Sequence, residues 1–123
     1  MSNVPENLQY TKEHEWTLIE GGVATVGVTD HAQHELGDIV FVELPKVGAT
    51  VKAGESFGTI EAVKTVAELY APVSGTVAAV NTDLTADAAV VNTDPYGKGW
   101  IIKVTVDGPT DDLMDAAAYK KLI

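Results

Sequence analysis

Among the residues of this chain that could do chemistry, Lys64 stands apart. It interrupts two apolar, β-type runs in "GTIEAVKTVAELYAP", residues 58–72, and is the only Lys or Arg between Ala53 and Gly97. An amine at such a tip is open to an acylating enzyme, and acylation would remove its charge. With an ordinary pKa of about 10.4, the amine is nucleophilic only once deprotonated, so the modifying enzyme must take its proton. The plainer reading is a solvated lysine at a hairpin end, of the kind that guards sheet edges. Against it, Val63 and Thr65-Val66 flank the lysine, where a bare turn favours Gly, Asn or Asp.

Other candidate chemistries find less support. His31 and His34 share a helical face with Glu35 beside them, and two imidazoles so spaced could ligate zinc. No third ligand lies nearby, so a partly exposed helix is the simpler expectation and no metal is predicted. His14 suits local structure or a cleft wall better than a general base. Gly21, Gly22 and Gly27 do not spell a dinucleotide fingerprint, and no GKS or GKT follows. Ser74, in "APVSG", lacks the glycine two residues earlier that a nucleophile elbow uses and reads as a turn residue. Trp16, Tyr70 and Trp100 are expected in the core or a cleft wall, and Tyr96, in "DPYG", as a turn anchor. With no cysteine, disulfides, thiolate metal sites and cysteine nucleophiles are excluded. Any sulfur chemistry must come from a bound group.

The elements that would position Lys64 are β in type. "EWTLIEGGVATVGV" is a hairpin closed by Gly21-Gly22. "TDHAQHELGD" predicts a short helix with Thr29 as N-cap and Gly37 at its C-terminal end. "IVFVEL" reads as a buried strand, "SFGTIEAV" and "TVAELYAP" as the hairpin around Lys64, and "GTVAAVN", "AVVN" and "GWIIKVTV" as further strands. A faint echo between "VGATVKAGESFGTIE" and "SGTVAAVNTDLTADAAVV" suggests two similar halves meeting near Lys64. After Gly108-Pro109, Thr110 is expected to cap a C-terminal helix over "TDDLMDAAAYKKLI", with acids early and lysines late. Short strands at this spacing predict a sandwich or barrel and not βαβ units.

The 123 residues, 46% of them hydrophobic, suffice for one domain with a real core. No apolar run approaches the ~18 residues of a membrane span. The opening "MSNVPENLQY" lacks the features of a secretory signal or transit peptide. The expectation is a protein that stays where it is made, in a bacterial cytoplasm. Eighteen acids against eight lysines and no arginine, a net charge of −10, argue against nucleic acid and anionic membrane as partners. The acidity reads as a solubilising surface, or as a means of steering cationic partners or cargo.

From Leu8 onward the chain resembles the glycine cleavage system H-protein family of lipoyl carriers. The resemblance is carried by "YTKEHEW", "VATVGVTDHAQHELGDIVFVELPKVG", "EAVK", "LYAPVSGTVAAVN" and "VNTDPYGKGWIIKV", in order. It implies a mainly β fold, a barrel-sandwich hybrid of two antiparallel sheets with short flanking helices and a C-terminal helix. The whole of 1–123 would be a single carrier domain, with a core at about 8–107 and a helical tail at about 110–123. It further implies that Lys64 carries lipoate in amide linkage; Ala62 stands where the family usually has Ser. The dithiolane would supply the sulfurs that the chain lacks.

The resemblance also implies a non-catalytic role. The arm would take an aminomethyl group from glycine at a PLP-dependent glycine decarboxylase and deliver it on a tetrahydrofolate-dependent aminomethyltransferase. An FAD-dependent dihydrolipoyl dehydrogenase would then reoxidise it. A lipoate ligase or a lipoyl/octanoyl transferase would install it, and the carrier would act as a monomer. Cleft acids toward the loaded arm fall on Glu15 and Glu68, with Glu13 a further candidate. The family often has a smaller residue at the position of Glu13 and an Asp at that of Glu68. Burying an ammonium without partners is costly, and well-placed carboxylates offset that cost. The plainer reading of each is a surface acid of an acidic protein; the cleft role is the favoured one for Glu15 and Glu68, and the two readings stand level for Glu13. A biotin or 2-oxoacid dehydrogenase carrier domain fits less well, since biotin acceptors read M-K-M and those domains lack the "HEW" and "DPYGKGW" segments. An unmodified interaction module and a stand-alone enzyme are the remaining rivals.

Overall fold

The structure, a computed structural model, describes residues 3–110 and 112–123. Strands β1 (Gln9–Tyr10), β2 (Glu15–Glu20) and β3 (Val23–Val28) precede helix α1 (Asp30–Leu36). Strands β4 (Ile39–Glu43), β5 (Thr50–Val51), β6 (Ser56–Ala62), β7 (Val66–Tyr70) and β8 (Gly75–Val80) follow. Short helices α2 (Asp83–Ala86) and α3 (Val90–Thr93) lead to β9 (Ile102–Val106) and α4 (Ala116–Leu122). The strands form two antiparallel sheets, one in the order β1-β2-β3-β9-β8-β5 and the other β4-β6-β7.

Alternation puts Ala24, Val26 and Val28 of β3, Val77 of β8, and Ile102 and Val104 of β9 inside. They pack with Ile39, Val42, Ile60 and Leu69 of the smaller sheet as one core. A second cluster, Val4, Leu8, Tyr10, Trp16, Ala116 and Tyr119, lies under α4. The Gly21-Gly22 turn closes the β2–β3 hairpin as expected, with both glycines at positive φ. Helix α1 is capped by Thr29, whose Oγ1 accepts from Ala32 N at 3.1 Å, and ends at Gly37 with φ 81°.

Three expectations are corrected. "IVFVEL" is an edge strand and not a fully buried one. A register shift between Ile39 and Phe41 leaves Val40 and Phe41 58% and 43% exposed, while Ile39 and Val42 point inward. "AVVN" is helix α3. Only Val91 of this turn is buried, one face of a short helix that an apolar run conceals. The echo between the two halves therefore ends here, because the second copy turns into α2 and α3 where the first runs into β6. The C-terminal helix starts at Ala116, capped by Asp115 through Ala118 N at 2.8 Å, and not at Thr110. Met114 instead exchanges both backbone hydrogen bonds with Tyr10, at 2.8 Å each. Asp111, within the expected helix, lies outside the described residues.

Candidate functional site

Strands β6 and β7 pair as far as Glu61 and Val66, and the turn closes with Ala62 N donating to Thr65 O at 2.7 Å. Lys64 sits at the apex, exposed, beside Val63, which is 76% exposed. Among the described residues no salt bridge reaches Lys64. The tip is braced from below: Val63 N donates to Asp38 O at 2.9 Å. The lysine stem also crosses the end of α1 so closely that a Cβ on Gly37 would stand 3.4 Å from Lys64 Cε.

Asn92, in α3, fixes this brace. Its Nδ2 donates to Gly37 O at 2.8 Å and to Gln33 Oε1 at 2.9 Å, and its Oδ1 accepts from Ile39 N at 2.9 Å. The bend from α1 into β4 is thus held by one side chain, which the reading of "AVVN" as a strand had missed. No local signal separated "AVVN" from "GTVAAVN", whose apolar run is also closed by an Asn and forms β8.

Farther down the same hairpin lies a hollow of about 240 Å³. One wall carries Glu13, His14 and Glu15, the other carries His31, Glu35 and Leu36 of α1, and Ile60, Ala67, Glu68 and Leu69 bring in the Lys64 hairpin. The three acids singled out in the sequence therefore converge. Ligand pockets commonly measure roughly 300–1,000 Å³, so this one suits the end of a chain better than a whole cofactor. Glu68, in β7, lies four residues past Lys64 and two past Val66, where the strand begins.

The acids differ in state. Glu15 is 2% exposed, accepts from Thr11 Oγ1 at 2.8 Å and from Tyr70 N at 3.3 Å, and is pushed up to about 8. Burial is the main cause; the two hydrogen bonds oppose it and nearby Glu13 adds to it. Glu13 and Glu68 are exposed, and Glu68 Oε2 accepts from Tyr70 Oη at 3.3 Å. A second hollow, toward Ala53, Pro72 and Met114, shares Glu13 and Glu15 with the first, so Glu15 stands in the partition between them.

His14, between these acids, has φ 71°, the only non-glycine positive φ among the described residues. Its ring lies 4.9 Å from that of His31, and burial holds its pKa below the ordinary value, helped by His31 and opposed by Glu13 and Glu35. His31 faces Glu35 at 4.0 Å, His34 faces Asp30 at 3.9 Å, and no group of three metal-type ligands occurs among the described residues. Trp16 is buried, its Nε1 donating to Pro95 O at 2.9 Å. Tyr96 anchors its turn by donating to Asn3 O at 2.6 Å and accepting from Asp30 N at 2.9 Å.

A model of the family described as glycine cleavage H-protein matches residues 8–123. The glycine cleavage system H protein of Rubrobacter xylanophilus is 59% identical, over 98% of this chain and 95% of its own. That of Chlorobium limicola is 57% identical over 98% of each chain. The crystal structure of the H protein of Mycobacterium marinum superposes with a TM-score of 0.88 at 44% identity, covering 96% of this chain and 97% of that one. A hairpin-borne lysine, a hollow lined by acids on the same hairpin and this full-length agreement lead to one conclusion: the chain belongs to the glycine cleavage H-protein family, the non-catalytic lipoyl carriers of the glycine cleavage system.

Proposed function

We propose that this chain, as one carrier domain, bears lipoate in amide linkage on Lys64 and with it shuttles the aminomethyl group of glycine. The route runs from the PLP-dependent glycine decarboxylase to the tetrahydrofolate-dependent aminomethyltransferase, and the arm is renewed by the FAD-dependent dihydrolipoyl dehydrogenase. A lipoate ligase or lipoyl/octanoyl transferase installs it, and the carrier works as a cytoplasmic monomer. The supporting observation is the pairing of an exposed apex amine with a small acid-lined hollow on the same hairpin.

The residues present fit such a group. When bound, lipoate supplies two sulfurs to a chain with no cysteine. Lys64 roots the arm, and its stem rests against the Gly37 end of α1. Ile60, Leu69 and Leu36 give the hollow apolar surface that excludes water. Glu15 meets a cationic cargo: a carboxyl kept neutral by burial ionises when an ammonium arrives beside it. Glu68 and Glu13, at the exposed margin, add weaker screened attraction.

Intact-mass measurement of protein from lipoylating cells is expected to show one lipoyl adduct, lost in Lys64→Arg. Full glycine–bicarbonate exchange with the Lys64→Arg carrier would refute the assignment. Changing Glu15 and Glu68 together to Gln is expected to speed spontaneous loss of ammonia from the loaded protein. An unchanged rate would remove their protective role.

A further inference from the structure

Tyr119 reaches both walls of the hollow from α4, an element that lines neither. Its Oη lies 2.8 Å from His14 Nδ1 and 2.7 Å from Thr29 Oγ1. His14 belongs to the acid-bearing wall, between Glu13 and Glu15. Thr29 is the N-cap of α1, which forms the opposite wall. The backbone joins the two where the β2–β3 ladder ends, Thr29 N donating to His14 O at 3.0 Å just past the Glu15–Val28 pair, and the phenol adds a side-chain tie to this junction.

Each partner needs that tie. His14 holds a left-handed conformation that a non-glycine residue keeps only where its surroundings enforce it. A hydrogen bond from its N–H to Thr11 O at 3.1 Å fixes one side of the residue, and the ring contacts with Tyr119 and His31 fix the other. Thr29 is fully buried, and its hydroxyl must serve both Ala32 N and the phenol. Tyr119 is a firm post for both. It is fully buried and stacked on Tyr10 at 4.7 Å and 6°, and Tyr10 is itself paired with Met114 just before α4.

The geometry points to the Tyr119 hydroxyl as a positioning group that sets the spacing of the two walls, and so limits how far water can reach Glu15. The chain of hydrogen bonds is coherent: Thr29 Oγ1–H donates to Tyr119 Oη, whose own hydrogen goes to His14 Nδ1. His14, with its lowered pKa, is the neutral acceptor that this requires. Only the identity of what the hollow protects rests on the proposed function; the coupling of the walls does not.

The test begins with the full chain carrying no group on Lys64. Tyr119→Phe keeps the stacked ring and removes the tie. Hydrogen exchange followed by NMR is expected to quicken roughly fivefold at Glu15 and Ala32 together, the loss of about one net hydrogen bond. Tyr10, Met114 and the α4 amides keep their native rates. His14→Asn retains a side-chain acceptor and tolerates positive φ, so it stays near native. His14→Gly relieves the backbone but has no acceptor, and is expected to match Tyr119→Phe. Native exchange at Glu15 and Ala32 in Tyr119→Phe, or native behaviour of His14→Gly, overturns the inference. With the arm loaded, Tyr119→Phe is expected to lose ammonia roughly fivefold faster; an unchanged rate beside quickened exchange would overturn the hollow's protective part in the proposed function while upholding the coupling of its walls. Were Lys64 found unacylated, the carrier reading would fall while the exchange measurement still decided this one.

Discussion

Gly37 and Lys64 share one small space: a Cβ on the glycine would meet Lys64 Cε at 3.4 Å and Nζ at 3.9 Å. The α1 terminus therefore serves as the rest over which the lysine stem lies. Gly37 also has φ 81° and ψ −153°, a region essentially closed to residues with a side chain. Gly37→Ala is expected to destabilise the fold by about 1–3 kcal/mol through backbone strain, and to slow acylation of Lys64 by altering the end of α1 that its stem touches. Gly22→Ala, with φ 79° and nothing within 4 Å of its added carbon, is the control for backbone strain alone. Equal acylation rates in the two variants, measured by intact mass over time, would show that Gly37 does not aim the lysine.

Asn92 carries the same bend from the other side. Its amide makes three hydrogen bonds, to Gly37 O, Gln33 Oε1 and Ile39 N. Asn92→Ala leaves these groups unpaired, and a loss of about 2–3 kcal/mol is expected in denaturant unfolding. Asn92→Asp should be no better, because a carboxylate there faces two acceptor oxygens. A midpoint within error of the native one for either variant would contradict the role given to Asn92.

What the sequence disclosed and what it hid follow from the range of the interactions. The Gly21-Gly22 turn, the Thr29 cap and the Lys64 apex are local, and each is written in adjacent residues. The exposure of Val40 and Phe41 depends on a register shift against β6, and the late start of α4 follows from Met114 pairing with Tyr10. These contacts cross long stretches of chain and leave no local mark. In the site, the resemblance singled out Glu13, Glu15 and Glu68, which the fold brings around one hollow. Asn92 and Tyr119, which brace the walls of that hollow, come from α3 and α4, neither of which lines it, and only the tertiary structure brings them there.

Thr17 offers a test of the buried polar balance. It lies at 0% exposure in β2, and its Oγ1 has no hydrogen-bond partner among the described residues. Thr17→Val removes an unsatisfied hydroxyl at nearly constant shape. A gain of about 1 kcal/mol is expected from denaturant unfolding. A loss of that size would mean that the hydroxyl is satisfied in solution.

Glu15 should imprint itself on stability as a function of pH. Burial raises its carboxyl from 4.5 in the unfolded chain to about 8 in the fold. Between those values the native state keeps a proton that the unfolded state has lost, so rising pH favours unfolding. The contribution is full below 4.5 and is lost as pH climbs through about 8. At about 1.4 kcal/mol per pH unit, the total is on the order of a few kcal/mol. Glu15→Gln keeps the shape and one of the two acceptor oxygens, which receive Thr11 Oγ1 and Tyr70 N in the native chain, but cannot ionise. Its stability relative to the native chain is therefore expected to improve steadily from pH 5 to pH 8. Lipoylated carrier loaded with the aminomethyl group should show a shallower slope than empty carrier, because a docked ammonium favours the carboxylate and lowers its pKa. Parallel curves for native chain and Glu15→Gln, from unfolding midpoints across that range, would mean that Glu15 is already ionised in the empty hollow and that a cationic cargo displaces no proton there.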